Sequence, residues 1–542
     1  MGELKVREEK RSLAGSPALI RVMALLAVIG FLGLLVGAMS SRLPVLILFG
    51  VLGGVALLVI VWFYPFFGVV LAFISNLIIP QAGPNWNLGI QVAIVGETRG
   101  LHFNVHEIIM AMVLLAVLIK ILISVWKKDW DDVRDLVRSP ISIGVALYVL
   151  TSILACFIGL INDAEGLLVL FRFVRTTFFF YIFFMMIYIV RNRRQFQVLI
   201  VAMLVCFTLI AAFGLVQKAL GETWSNQFNE KVLKRLGYPA DINYVAGESS
   251  AQAYRINSTF AHPNILGGYL VFALPFFVSF LSLTWRLQRY RLWLLLLVAL
   301  GINLAALFLT GSRAAWVAAG VIAFLYGIFG FFDRRMWLVL VTVLLVFALI
   351  FVMLNPPEFV KKRFSGLSAK EAADSRMYQY KLALDYFLEH PLFGIGMGME
   401  GQRIIENNLR YTWAAVENVW LTYMVSHGVV GLSALLLVFI LYWMVLFKAR
   451  SGSKNDPFIY FNAEAFILGM VGFAVSNMFG AWLLFAIPMV TLMWFYMGMA
   501  GSLYNIYQAE QEVTQPELPS PEPFVSALPF PNAAYQEPRG TP

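Results

Sequence analysis

The chain has 542 residues, of which 60% are hydrophobic and only 13% charged, with a formal charge of +9. A soluble fold cannot hide that much apolar surface, and the apolar stretches are long runs rather than the short alternating segments of a β-barrel. The composition therefore predicts an all-α polytopic membrane protein. Lysines and arginines placed by topology account for the positive charge, and no nucleic acid need be invoked.

Apolar runs of about 18 to 25 residues predict spans near 19–40, 43–62, 66–80, 104–126, 141–161, 168–190, 196–220, 263–285, 292–310, 314–332, 337–354, 418–447, 458–478 and 482–504, about 14 in all. The basic start resembles a signal peptide, but no clear small-residue cleavage site follows, so the first run is read as a retained span. The apolar stretch from Leu43 to Pro80 is split into a hairpin at Pro65. Lys127, Lys128, Arg134 and Arg138, then Arg191, Arg193 and Arg194, then Arg286, Arg289 and Arg291, then Arg334 and Arg335, then Lys448, Arg450 and Lys454 fall in alternate short loops. Those loops are predicted to be cytoplasmic, as are both termini. The long loops 81–103, 221–262 and 355–416 then face outward, which puts the protein's work at the outer face of the membrane. The tail from about Gln511 is rich in Pro and Glu with no periodic apolar face, and is predicted to be disordered. Cys156 and Cys206 lie inside predicted spans and suggest neither a disulfide framework nor a metal site.

Several polar residues stand out against this background. Arg172 and Arg175 sit one turn apart about two turns into a span. An arginine at that depth costs roughly 2.5–3.5 kcal/mol on insertion scales. The pair either lines an anion-accepting cavity, snorkels to the headgroups, or pairs with Asp163 or Glu165. Arg255 ends the second long outer loop, and His262 stands before a helix opened by Pro263 and Asn264, as a site residue or as a structural histidine at a loop-to-helix junction. Arg313 lies in a tight outer turn, a place that positive-inside logic mildly disfavours for a purely interfacial arginine.

Met377, Tyr380, Leu384, Phe387 and Leu388 recur at helical spacing, predicting an amphipathic surface helix with one apolar face. Asp374 or Ser375 is expected to cap it, which would put Arg376 at the helix start, ready to hold a phosphate bidentately. Glu417 and Asn418 open the next span, where such residues also serve as ordinary caps. His427 lies near three turns deep in that span and reads as a packed polar residue. The GxGxG run at 394–398 follows no strand, so a dinucleotide loop is rejected.

In order, Gly311-Ser312-Arg313, Ser375-Arg376, His390 to Gly398 (HPLFGIGMG), and Glu417-Asn418 with Gly428 and Gly431 resemble the O-antigen ligase/polymerase superfamily, as does the upstream stretch Ser258 to Tyr269. The resemblance covers about 255–435. It divides the chain into an N-terminal membrane region (1–254), a ligase-like core (255–435) with the outer loop 355–416, C-terminal spans (436–508) and the tail (509–542).

It implies a GT-C-like fold in the bacterial inner membrane. The implied activity is metal-independent, inverting transfer of a glycan from undecaprenyl pyrophosphate to the hydroxyl of a sugar or lipid acceptor, with no cofactor. By motif, the two arginines that grip the pyrophosphate are Arg313 and Arg376. Arg255, His262, Asn418, Arg172 and Arg175 are further candidates for holding substrate. The family's proposed base is a histidine before an asparagine, and here that position is Glu417. Desolvation would make a carboxylate there a better proton acceptor, while two arginines nearby would make it a weaker one. His262 or His427 could substitute if the fold brings either close. A lipid-linked oligosaccharide flippase and a non-catalytic relative are the alternatives. The first would be expected to carry repeats, which the sequence does not show.

Overall fold

The computed structural model describes residues 45–80, 91–94, 97–100, 104–128, 130–162, 166, 169–170, 173, 177–233, 254–260, 262–330, 367–399, 416–480 and 487–514. Two expected spans, 19–40 and 337–354, lie outside the described residues, as do Arg172, Arg175 and most of the C-terminal tail.

Apart from an antiparallel hairpin of β1 (Gln91–Ile94) and β2 (Glu97–Gly100), the described elements are helical. They are α1 (Val45–Phe63), α2 (Pro65–Ile78), α3 (Val105–Trp126), α4 (Asp131–Arg138), α5 (Ile141–Ile161), α6 (Tyr181–Ile189), α7 (Arg193–Leu220), α8 (Glu222–Phe228), α9 (Pro263–Arg286), α10 (Tyr290–Leu309), α11 (Arg313–Gly330), α12 (Leu367–Glu389), α13 (Val419–Gly452), α14 (Pro457–Ser476) and α15 (Ile487–Thr514). Among the described residues, seven helices (α3, α5, α7, α9, α10, α13 and α14) are long and apolar enough to cross a membrane. In the stretch expected to span at 168–190, Val169, Leu170 and Phe173 are helical among the described residues, and a 3-10 turn at Phe178–Phe180 leads into α6 at Tyr181.

Hydropathy and position in the bundle separate at α15. It is not among the seven, yet Met489 to Met497 are all buried, including Trp494, Phe495 and Tyr496. A helix shielded from lipid on all sides can carry polar groups if each finds a partner. The Tyr496 hydroxyl donates to the Phe272 carbonyl of α9 (3.0 Å), and Ser502 Oγ donates to the Met186 carbonyl of α6 (3.1 Å). The peripheral helices show the converse pattern. Leu118 and Leu122 of α3, Leu295 and Val298 of α10, and Ile440 and Met444 of α13 are exposed, as expected of faces turned to acyl chains.

Among the described residues, the lysine- and arginine-rich segments near 135–138, 191–193 and 450–456 are tied to the C-terminal part of α15 or to one another at one end of the bundle. There, Arg193 pairs with Asp456 and with Glu510 (2.6 Å), Arg138 with Glu512, and Arg450 with Glu464 (2.8 Å). The bonds to Glu510 and Glu512 explain why α15 continues to Thr514, past the expected end of the span.

Candidate functional site at the opposite end

The opposite end is assembled from three short stretches that the family resemblance singled out. Gly311, at φ +60°, lets α10 turn directly into α11, and Ser312 Oγ accepts from the Ala315 N–H (3.4 Å) to open the new helix. Arg313 is therefore the first residue of α11, where the helix dipole repels a cation. Arg255 braces this turn. Its Nε donates to the Thr310 carbonyl (2.7 Å), and its Nη2 bonds Asn264 at the start of α9. His262 Nδ1 accepts from the Asn264 N–H (3.0 Å), capping α9. Both residues are thus engaged in holding the turn and the neighbouring helix start.

Arg376 comes from α12. That helix begins at Leu367, well before the expected cap, so Arg376 lies in its third turn and not at its N-terminus. The dipole argument for an anion at Arg376 does not apply. It applies instead at Arg313. The apolar residues of α12 also divide between two sides, where one face was expected. Tyr380, Ala383, Tyr386 and Phe387 turn inward to varying degrees, while Met377, Leu384 and Leu388 are 69%, 45% and 65% exposed. Tyr380 turns inward because its hydroxyl has carbonyl partners there.

The third stretch precedes α13. Asn418 is the cap, its Oδ1 accepting from the Leu421 N–H (3.1 Å). Glu417 is left for another task, and its carboxylate Oε2 accepts from Arg376 Nε and Nη2, each at 2.5 Å. Both side chains remain 28% exposed. Two further residues of α12 hold the Glu417 backbone. Gln379 Oε1 accepts its N–H (3.0 Å), and the Tyr380 hydroxyl lies 3.3 Å from its carbonyl and 3.3 Å from that of Met478. Burial raises the Tyr380 phenol above the ordinary tyrosine range while the Arg376 charge pulls it back, so it stays protonated and able to donate.

Arg313 feels both charges, repelled by Arg376 and attracted by Glu417. It makes no hydrogen bond or ion pair with any described residue. Among the described residues, two guanidiniums and one carboxylate give the site a surplus of positive charge, beside the N-termini of α11 and α13.

The HPLFGIGMG segment does not line this charge cluster; it fixes the elements that do. Helix α13 is broken at Gly428 (φ +65°, ψ −167°). The turn-rich chain from Pro391 to Gly396 fills the break, accepting from the Val429 and Val430 N–H groups through Pro391 and Leu392, and donating from Ile395 and Gly396 to Val425 and Ser426. A Cβ at Gly428 would lie 2.3 Å from the Leu392 oxygen, and one at Gly396 would lie 2.2 Å from the Gly159 nitrogen of α5. Only glycine permits either approach. The same chain that ends α12 is thereby locked to α13 and α5, which fixes Arg376 relative to Glu417.

His427 sits directly before this break, in the same segment of α13 that Glu417 and Asn418 open. It is buried, its Nδ1 2.7 Å from Ser426 Oγ and its ring stacked on Tyr423 at 4.8 Å. It lies about 12–15 Å along α13 from Glu417, too far to share its work. Among the described residues, no cluster of His, Cys, Asp or Glu suits a metal. Sequence reasoning passed over Gln379 and Tyr380. The helical spacing does put Gln379 and Tyr380 about one turn from Arg376, but nothing in the sequence pairs them with Glu417.

Residues 298–436 match the O-antigen ligase family (Wzy_C), a segment that contains Arg313, Arg376 and Glu417. No curated protein matches the chain.

Proposed function

We propose that this member of the O-antigen ligase/polymerase superfamily is a GT-C-like glycosyltransferase of about 14 spans, working at the outer face of the bacterial inner membrane. It moves a glycan from undecaprenyl pyrophosphate to an acceptor hydroxyl. The observation that carries this reading is the surplus of positive charge where Arg313, which has no hydrogen-bond or ion-pair partner among the described residues, meets the Arg376–Glu417 pair. A surplus guanidinium at a helix N-terminus is costly unless an anion completes it, and a pyrophosphate supplies that charge.

In the reaction, the acceptor oxygen attacks the anomeric carbon from the face opposite the pyrophosphate, and the configuration inverts. The anomeric C–O bond breaks with its electron pair passing to the leaving pyrophosphate, where Arg313 and Arg376 stabilise the growing charge without a metal. Glu417 takes the acceptor's proton. The exposed row Met377, Leu384 and Leu388 continues through Leu392 and Phe393 to the exposed Val429 and Val430 of α13, an apolar path from Arg376 toward the bilayer. That path suits the polyprenyl chain.

The test is turnover by the purified protein with a polyprenyl-pyrophosphate-linked glycan and candidate acceptors in lipid vesicles. Release of polyprenyl pyrophosphate coupled to glycosylation of the acceptor is the expected result. Movement of intact lipid-linked glycan between leaflets without any transfer would identify a flippase. Neither activity would identify a non-catalytic relative.

A further inference from the structure

The ion pair between Arg376 and Glu417 sets a problem for the reading just given, on which this inference rests. The same two groups are needed apart, one on the pyrophosphate and one on the acceptor proton, yet they face each other at 2.5 Å. A carboxylate oxygen whose lone pairs already accept from Arg376 Nε and Nη2 cannot take the acceptor's proton in the same geometry. The arrangement of α12 offers a solution. Glu417 is held by its backbone as well as by its carboxylate. Gln379, itself only 4% exposed, accepts its N–H, and the Tyr380 hydroxyl reaches its carbonyl. These two contacts do not depend on the carboxylate.

We propose that Gln379 and Tyr380 are positioning residues that keep Glu417 in place while Arg376 leaves it for the donor pyrophosphate, so that the donor uncovers the base. The competition favours exchange on charge alone. Pyrophosphate offers Arg376 a more highly charged, bidentate partner than one carboxylate, and Arg313 adds a second cation that the pair alone cannot satisfy. An empty site then holds Oε2 of its base against Arg376. The base becomes available only when the glycan donor is bound.

Exchange is tested first without turnover. The full chain in lipid nanodiscs is treated with a carboxyl-esterifying diazo reagent, and labelling of Glu417 is followed by peptide mass spectrometry with and without inorganic pyrophosphate. Pyrophosphate is expected to raise Glu417 labelling at least fivefold, and Arg376→Ala is expected to label at the higher level without it. Unchanged or reduced labelling of the wild type with pyrophosphate overturns the exchange.

Positioning is tested by turnover. Tyr380→Phe and Gln379→Ala are expected to lower kcat at least tenfold, with KM for the donor within twofold of wild type and Arg376-dependent labelling retained. Effects confined to thermal stability, or equal losses in kcat and in donor binding, overturn the positioning role. Pyrophosphate-dependent labelling in a protein that transfers no glycan would defeat the transferase reading and leave the exchange standing. Transfer by a protein whose Glu417 labelling never changes would do the reverse.

Discussion

At one end of the bundle, Arg193 holds Asp456 and Glu510, Arg138 holds Glu512, and Arg450 holds Glu464; at the other end, among the described residues, Arg313 and Arg376 share the one carboxylate of Glu417. The residue type is the same, but the charge balance is opposite. Where acidic partners match or outnumber a guanidinium, as at Arg193, arginine joins loops and helix ends into architecture. Where guanidiniums outnumber carboxylates, the protein carries an unpaid electrostatic cost that a ligand can relieve. Counting partners separates the two uses, and a list of basic residues does not.

The contrast requires that the two ends face different compartments. Cysteines introduced at Trp224 and Gln402 are expected to react with a membrane-impermeant maleimide on intact cells, and one at Lys128 only after lysis. This is an all-or-none outcome, and external labelling at Lys128 would reverse the orientation and remove the outer-face mechanism.

The next effect in size falls on Glu417. Glu417→Gln keeps the shape and a hydrogen bond to Arg376 but cannot accept a proton, and a loss of about 10²–10⁴ in kcat is expected, the range for a general base. Glu417→His is expected to restore part of that rate, since an imidazole with an unperturbed pKa of about 6.5 accepts protons near neutrality. Normal rates in Glu417→Gln would leave the pair as a structural contact like those at the basic end.

Arg313→Lys and Arg376→Lys keep the charge and lose the planar fork. Each is expected to cost about 10²-fold in transfer, within the range for removing one oxyanion donor, with the protein still folded in the membrane. Arg313→Lys is the sharper of the two, because no described side chain depends on Arg313 for an ion pair. Near-normal activity in both would move the pyrophosphate site elsewhere, with Arg172 and Arg175 the next candidates.

Sequence alone conveyed the polytopic membrane class, the likeness to the O-antigen ligase family that the match over 298–436 supports, and the seven long apolar helices, because each is written in composition or in local spacing. It missed what depends on three-dimensional neighbours. The start of α12 was placed too late, since Asp374 and Ser375 look like caps and the helix before them is polar. The two inward contacts of Gln379 and Tyr380 are made to a residue about 40 positions away. The role of HPLFGIGMG as the filler of a helix break could not be read from its glycines, because the break at Gly428 lies in a separate motif. Gly428→Ala tests that role. With φ at +65° and the Leu392 oxygen 2.3 Å from the new Cβ, a loss of more than about 1 kcal/mol in stability is expected, measurable as a lowered unfolding temperature in detergent.

The smallest effect is expected at the basic end, and it closes the comparison. Arg193 is bound to two carboxylates, but all three side chains are between 27% and 40% exposed, so water screens the network heavily. Arg193→Ala is expected to cost about 1 kcal/mol of stability and to leave kcat and donor KM unchanged once the folded fraction is accounted for. Salt should discriminate further, since raising ionic strength weakens an exposed network and narrows the gap between wild type and variant. If Arg193→Ala instead abolished transfer in a folded protein, the basic end would be part of the working machinery. Partner counting would then fail as a way to tell an architectural arginine from one that awaits a ligand.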